Sequence, residues 1–348
     1  MRQVGRRHGV PAMVGGTLAV VLACGGDDGG GNVGHGGSSS TGAATFDDSA
    51  DAPMSTTASP GDSGTVDSSS ADSSPVDSGD TTGDDGPADS SGSTGAPGPA
   101  NASLGCGTAL DDPQEVWNPE TVEVEGVTRE YWMWFPPGYD PQTPYPIVYQ
   151  FHGCSSADTP QDNNPPVQNE SGPDAIHVRG RAVADCWDAA PGGPDVAFFD
   201  ELVLAVESVA CVDTERRFAT GYSSGSFMSH RLSCERGEML RGVATIAGGS
   251  GGNDCEGKVA ALLIHDDTDP QVGIGASIAA RDLNLSRNGC DIAEPTTATE
   301  PEPCVSYAGC DDGYPVVWCQ TTGQGHSRQD GLSAPAFWSF VNALPSLP

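Results

Sequence analysis

The sequence predicts an α/β domain over residues 106–348, with a mostly parallel central sheet and helices on both faces. Three observations carry that prediction. Residues 146–151, 240–247 and 259–264 are short, largely apolar runs, the pattern of strands buried on both faces. Between the first two, Phe199, Leu202, Val203, Val206 and Val209 recur at helical spacing. Strands that alternate with helices in this way build a parallel sheet covered on both sides.

Taken in order, residues 121–124 and 127–135 flank Glu125-Gly126 as an opening hairpin, which Pro136-Pro137-Gly138 ends. The strand at 146–151 leads into His152-Gly153-Cys154. A glycine directly after a buried strand lets backbone N–H groups face a ligand, so the amides of Gly153 and Cys154 are candidates for half of an oxyanion hole. A plain strand-ending turn fits the same residues, and His152 reads as a brace for the loop. Residues 175–178 form a weak strand, and the helix at 199–209 returns the chain to the next one.

That next strand ends in Gly221-Tyr222-Ser223-Ser224-Gly225, a G-x-S-x-G pattern, and Phe227, Met228 and Leu232 follow at helical spacing. Strand, tight turn and helix would lift the Ser223 hydroxyl off the backbone at the sheet's carboxyl edge. In a chain with 47 glycines an ordinary Ser/Gly loop shares the pattern, so its partners decide. The run at 259–264 ends in His265-Asp266-Asp267-Thr268-Asp269, which places an acid on the same sheet edge. Asp269 is favoured over Asp267, against the reading of a simple acidic turn. The last strand, 315–319, leads through Gly323-Gln324-Gly325 to His326, free among small residues to point into a cleft. His177 and His230 fall on a strand and a helix, where packed roles are expected; His8 and His35 lie outside the domain. The order Ser, Asp, His is that of the α/β-hydrolases.

The remaining chain is different in kind. Arg2, Arg6 and Arg7 precede an apolar stretch at 10–23 and Cys24, so residues 1–24 read as an export signal with a lipobox-like end and Cys24 as a lipidation site. From 25 to 105 the chain is almost wholly Gly, Ser, Asp, Thr, Ala and Pro, with aspartate the only charged residue and Phe46 the only aromatic. Such a stretch cannot bury enough apolar surface to offset the entropy of ordering, which predicts a disordered tether. About 80 flexible residues span roughly 50 Å. A net charge of −33 with Lys258 the only lysine argues against nucleic acid or anionic lipid as partner, leaving a lipid anchor as the only membrane contact expected.

Setting Cys24 aside, 10 of the 11 cysteines remain, an even set. In an exported protein they read as a disulfide framework, with no C-x-x-C pair to suggest zinc.

The segments C-V-D-T-E-R-R-F-A-T-G-Y-S-S-G, V-A-T-I-A-G, N-G-C, Y-A-G-C-D-D-G-Y-P-V-V-W and G-Q-G-H resemble the fungal feruloyl esterases of carbohydrate esterase family one and the related poly(3-hydroxybutyrate) depolymerases. The resemblance covers the domain and neither the signal nor the tether. It implies a nucleophile at Ser223, an acid at Asp269 and a base at His326. Amides of Ser224 and of Gly153 and Cys154 would form the oxyanion hole, and no metal or organic cofactor is required. It also implies that Cys106, Cys211, Cys234, Cys255, Cys290 and Cys310 match family cysteines, whereas Cys154, Cys186, Cys304 and Cys319 are additional and would pair as Cys154–Cys186 and Cys304–Cys319. The family usually has glycine where this chain has Asp266 and Ser226. The implied activity is hydrolysis of carboxylic esters through an acyl-enzyme. Hydroxycinnamoyl esters of plant-wall polysaccharide come first, with acetylated xylan and polyhydroxybutyrate as alternatives and Trp187 and Tyr222 as candidates for lining an acyl pocket. A monomer is expected, exported and either released outside the cell or tethered at its surface through Cys24. An inactive surface binding module is the reading from another class; the intact Ser, Asp and His argue against it.

Overall fold

A computed structural model of the chain describes residues 100–154, 164–249, 255 and 257–345. The expected export signal with Cys24, and residues 25–99 of the expected tether, lie outside the described residues. Contacts divide the chain into Met1–Gly86 and Pro87–Pro348, and the described residues all belong to the second unit.

The strands are β1 (Trp117–Val124), β2 (Val127–Trp134), β3 (Tyr145–Phe151), β4 (Ile176–Gly180), β5 (Val212–Tyr222), β6 (Gly242–Ile246), β7 (Ala260–Asp266), β8 (Thr297–Ala298), β9 (Cys304–Ser306) and β10 (Val316–Thr321). The helices are α1 (Gln168–Ser171), α2 (Pro194–Val209), α3 (Ser224–Glu235), α4 (Gly275–Arg287) and α5 (Asp330–Ala343). All ten strands form one sheet in the order β1-β2-β4-β3-β5-β6-β7-β10-β9-β8. Its centre, from β4 to β10, is parallel, while β1 and β2 at one edge and β8 and β9 at the other pair antiparallel. This is the α/β-hydrolase architecture: the carboxyl ends of β5, β7 and β10 share one rim.

Alternation along each strand divides the core in two. Ile147, Tyr149 and Phe151 of β3, Ala219 of β5 and Leu263 of β7 pack with Phe199, Leu202 and Val206 of α2 and Met228 and Leu232 of α3. Val148, Phe218, Ala244, Leu262 and Ile264 face the other way, against Phe337, Phe340 and Val341 of α5. Buried on both sides, these strands lack the polar alternation of a half-exposed sheet, which is why they read as continuous apolar runs.

Five disulfides fasten the fold: Cys106–Cys211, Cys154–Cys186, Cys234–Cys255, Cys290–Cys310 and Cys304–Cys319. Cys304 and Cys319 are register partners on antiparallel β9 and β10, and β3 and β4 are neighbours, so both additional pairs follow from strand adjacency. One boundary differs from expectation. Residues 101–105, assigned by composition to the tether, are held on the domain: Asn101 Nδ2 donates to Asp213, Ser103 Oγ to the Ala210 carbonyl, and the Gly105 amide to the Glu207 carbonyl. Composition gives no sign of this, because small polar residues gain their order here from backbone partners.

Phe337 is fully buried at the centre of the α5 layer, where its ring meets Phe218 edge-on at 6.4 Å. Phe337→Ala should cost about 3–5 kcal/mol, read as a lowered urea midpoint; an unchanged midpoint would mean that α5 does not carry that face of the core.

Candidate active site

Ser223 stands between β5 and α3 at φ 53° and ψ −116°, a conformation that a residue with a side chain adopts only when its surroundings enforce it. The enforcement comes from two glycines. A Cβ at Gly225 would lie 1.8 Å from the Phe151 carbonyl oxygen, and one at Gly221 would lie 2.2 Å from the Gly225 carbonyl oxygen. Absence of side chains lets the first turn of α3 meet the end of β3. The Ser223 amide donates to the Ile246 carbonyl at 2.9 Å, which fixes the turn to β6.

His326 and Asp269 arrive on the loops after β10 and β7, neighbouring parallel strands. His326 Nε2 lies 2.9 Å from Ser223 Oγ, and its Nδ1 lies 2.7 Å from Asp269 Oδ2. The other Asp269 oxygen accepts from the amides of Gln271 and Val272 at 2.8 and 2.9 Å. A carboxylate can only accept, so Nδ1 carries the ring proton and Nε2 is left to accept from the serine. Burial pushes the Asp269 carboxyl up, but the His326 hydrogen bond and the two amides outweigh it and hold the group below its ordinary range. Tyr222 donates to the His326 carbonyl at 3.1 Å; burial and the nearby Asp269 push the phenol up to about 12, so it keeps its proton.

Of the three competing aspartates, Asp269 is the one that meets His326. Asp267 points outward to Gln320 and Thr322. Asp266 is fully buried and accepts from Thr268, Thr321 and the Gln324 and Gly325 amides, a placement that sequence reading did not assign. The other residue it passed over is His265, fully buried behind the acid. Its Nε2 lies 2.8 Å from the Val272 carbonyl and its Nδ1 2.6 Å from Ser277 Oγ, which fixes the turn whose amides hold Asp269. Both sit in the same H-D-D-T-D run as the chosen acid, and strand alternation alone did not separate their roles.

The loop after β3 is braced as expected. The Ala182 amide donates to His152 Nε2 at 3.1 Å, so Nδ1 carries the proton and donates to the Gly153 carbonyl at 2.7 Å; burial lowers the imidazole's basicity. Trp187 reaches both sides of the cleft. Its Nε1 donates to the His152 carbonyl at 3.0 Å, its amide to Ser224 Oγ at 2.8 Å, and the adjacent Cys186 is bonded to Cys154. The ring packs edge-on to Phe151, 5.0 Å away, so Trp187 is a core and bracing residue rather than the pocket lining it was a candidate for. Tyr222 is also buried, with its ring 5.1 Å from that of His326.

His177 and His230 take the packed places expected of them, and burial drives both down to about 3. His230 approaches Cys234 and Cys255, the ligand atoms lying within 4.8 Å of one another. Those sulfurs are joined as a disulfide and offer no thiolate, so the group does not form a metal site.

An α/β-hydrolase sheet with this chain of hydrogen bonds at its carboxyl rim defines a class, the serine hydrolases of that fold. Comparison with known proteins narrows it. Feruloyl esterase C of Emericella nidulans is 32% identical over 234 residues, which span 62% of this chain and 84% of that protein. Feruloyl esterase D of Neurospora crassa is 31% identical over 241 residues, 62% of this chain and 79% of that protein. Among solved structures, an acetyl xylan esterase from Aspergillus awamori superposes with a TM-score of 0.51 at 14% identity, covering 65% of this chain and 99% of that one, a likeness of fold. No family model matches the chain. The chain belongs to the feruloyl esterase family.

The buried histidines His177 and His230 and the aspartates Asp266 and Asp269 set a pH dependence of one sign. His177 and His230 are less basic folded than unfolded, so stability falls as pH drops below about 6.5. Asp266 and Asp269 are more acidic folded, so their contribution is complete above about pH 4 and is lost as pH falls through their depressed folded values. The thermal midpoint should therefore decline from pH 7 to 4 and more steeply below; a flat profile from pH 7 to 4 would contradict the buried neutral histidines.

Proposed function

We propose that the chain is an exported serine esterase that hydrolyses hydroxycinnamoyl esters of plant cell-wall polysaccharide through an acyl-enzyme. The observation that carries the reading is the continuous hydrogen-bonded path from Ser223 through His326 to Asp269, at 2.9 and 2.7 Å, in a chain whose curated relatives are named feruloyl esterases. A serine hydroxyl is a poor nucleophile near neutral pH. As Ser223 Oγ bonds to the ester carbonyl carbon, His326 Nε2 takes its proton, and Asp269 stabilises the imidazolium. The proton then passes to the departing sugar oxygen, leaving Ser223 acylated. Water attacks that acyl group, gives its proton to His326, and the acid leaves as Ser223 Oγ is reprotonated. Charge on the tetrahedral oxygen would be met by amides of Ser224 and of Gly153 and Cys154. The first amides of a helix have no acceptor within it, which suits Ser224 at the start of α3. One such donor is typically worth about 100- to 1000-fold in rate.

The test is a panel of methyl ferulate, acetylated xylan and polyhydroxybutyrate. Methyl ferulate should be preferred, with Ser223→Ala losing about 10⁶-fold in kcat and Asp269→Asn about 10⁴-fold. Preference for either other substrate would overturn the hydroxycinnamoyl assignment while keeping the mechanism.

The same proposal places residues 1–24 as a signal, Cys24 as an acylated terminus and residues 25–105 as the tether, now with 101–105 seated on the domain. Five disulfides support an oxidising destination. Mass spectrometry of the mature protein should find a diacylglyceryl Cys24 as its first residue; an unmodified terminus would remove the anchor.

A further inference from the structure

Asp266 is the last residue of β7 and the register partner of Thr321, the last residue of β10. Its side chain is fully buried and accepts five hydrogen bonds. Two come from the acid loop: the Thr268 amide reaches Oδ1 at 3.0 Å, and the Thr268 hydroxyl donates to the same oxygen. Three come from the end of β10 and the histidine loop that follows it: Thr321 Oγ1 reaches Oδ2 at 2.9 Å, the Gln324 amide Oδ2 at 2.9 Å, and the Gly325 amide Oδ1 at 3.0 Å. Gly325 directly precedes His326, and Asp269 follows Asp266 by three residues. The Gly323 amide also donates to Thr268 Oγ1, 3.2 Å away, so the hydroxyl that binds Asp266 is itself shared between the two loops.

A buried carboxylate is costly unless its oxygens are hydrogen-bonded. Here five donors fill its accepting positions, and none belongs to a reacting residue. Burial pushes the acid up, but the bonds from Thr268, Gln324 and Thr321 outweigh it and keep the group ionised. A neutral amide in its place would present one N–H₂ to groups that are themselves donors, so charge and geometry are both required.

Resting on the reading of Ser223, His326 and Asp269 as the reacting set, we propose that Asp266 is a positioning residue for that reaction. It is the shared anchor that holds the acid loop and the histidine loop in register, so that His326 faces Asp269 and Ser223 at once. It touches no reacting atom and acts through the backbone of Thr268, Gln324 and Gly325. Misplacement of a reacting group by about 1 Å costs on the order of 100-fold in rate.

The test uses the full chain and the rate constant for phosphonylation of Ser223 by a fluorophosphonate, which needs a positioned His326 but no particular acyl group. Asp266→Asn should label roughly 10- to 100-fold more slowly than wild type, with methyl ferulate kcat falling in step and KM unchanged. The downfield His326 Nδ1–H proton resonance should be lost at a temperature where the variant is folded by circular dichroism. Thr321→Val, which removes one donor and keeps the charge, should shift the rate in the same direction by less. Folded Asp266→Asn that labels at the wild-type rate overturns the proposal. Should that variant fail to fold, Thr321→Val labelling at the wild-type rate overturns it equally. Absence of label on Ser223 in the wild type would instead sink the esterase reading, and this inference with it.

Discussion

The first turn of α3 lies against the end of β3 at a separation that only glycine allows, and the active-site geometry depends on that approach. A methyl group on Gly225 would sit 1.8 Å from the Phe151 oxygen and one on Gly221 2.2 Å from the Gly225 oxygen. Because the backbones meet there, the nucleophile is forced into its unusual dihedral angles, and the amide that follows it shares a cleft with the loop leaving β3. Residues 182–187 then bind both walls of that cleft, through Ala182 and Trp187 to His152, through Cys186 to Cys154, and through the Trp187 amide to Ser224. The segment is itself anchored by a buried ion pair. Arg129 meets Asp195 at 2.7 Å and the Arg181 carbonyl at 2.9 Å, while Asp195 accepts the Asp188 amide at 2.7 Å.

The other wall of the cleft, on the same rim, is built by different means. β7 and β10 are parallel neighbours, so the acid and the histidine leave the sheet side by side. Parallel pairing sets their spacing, while loop conformation must set their orientation. Turn amides on Asp269, the His265 contact to Val272 and the Asp266 network supply it. Charge is buried here only where donors surround it, consistent with the high cost of an unpaired carboxylate away from water.

Much of this was legible in the sequence because it was written in patterns with a period. Buried strands gave apolar runs, α2 gave a helical repeat, and the elbow gave glycines flanking a serine. The opening hairpin fell at Glu125-Gly126, where both residues take positive φ. What escaped lacked such a signal. α4 has polar residues through most of its length, and α5 contains Pro335, so neither advertised a helix. β8 and β9 are two and three residues long, too short to alternate. The division of labour among Asp266, Asp267 and Asp269 depends on where each side chain points after the strand ends, and no spacing rule reaches past that end. Residues 101–105 look like tether until their partners on β5 and α2 are seen.

Covalent labelling tests the central claim, that Ser223 is made nucleophilic by His326, most directly. A fluorophosphonate applied to folded protein should leave one adduct, mapped by peptide mass spectrometry to Ser223, and His326→Ala should all but abolish it while the fold persists. An adduct on another residue, or equal labelling with and without the imidazole, would contradict the account.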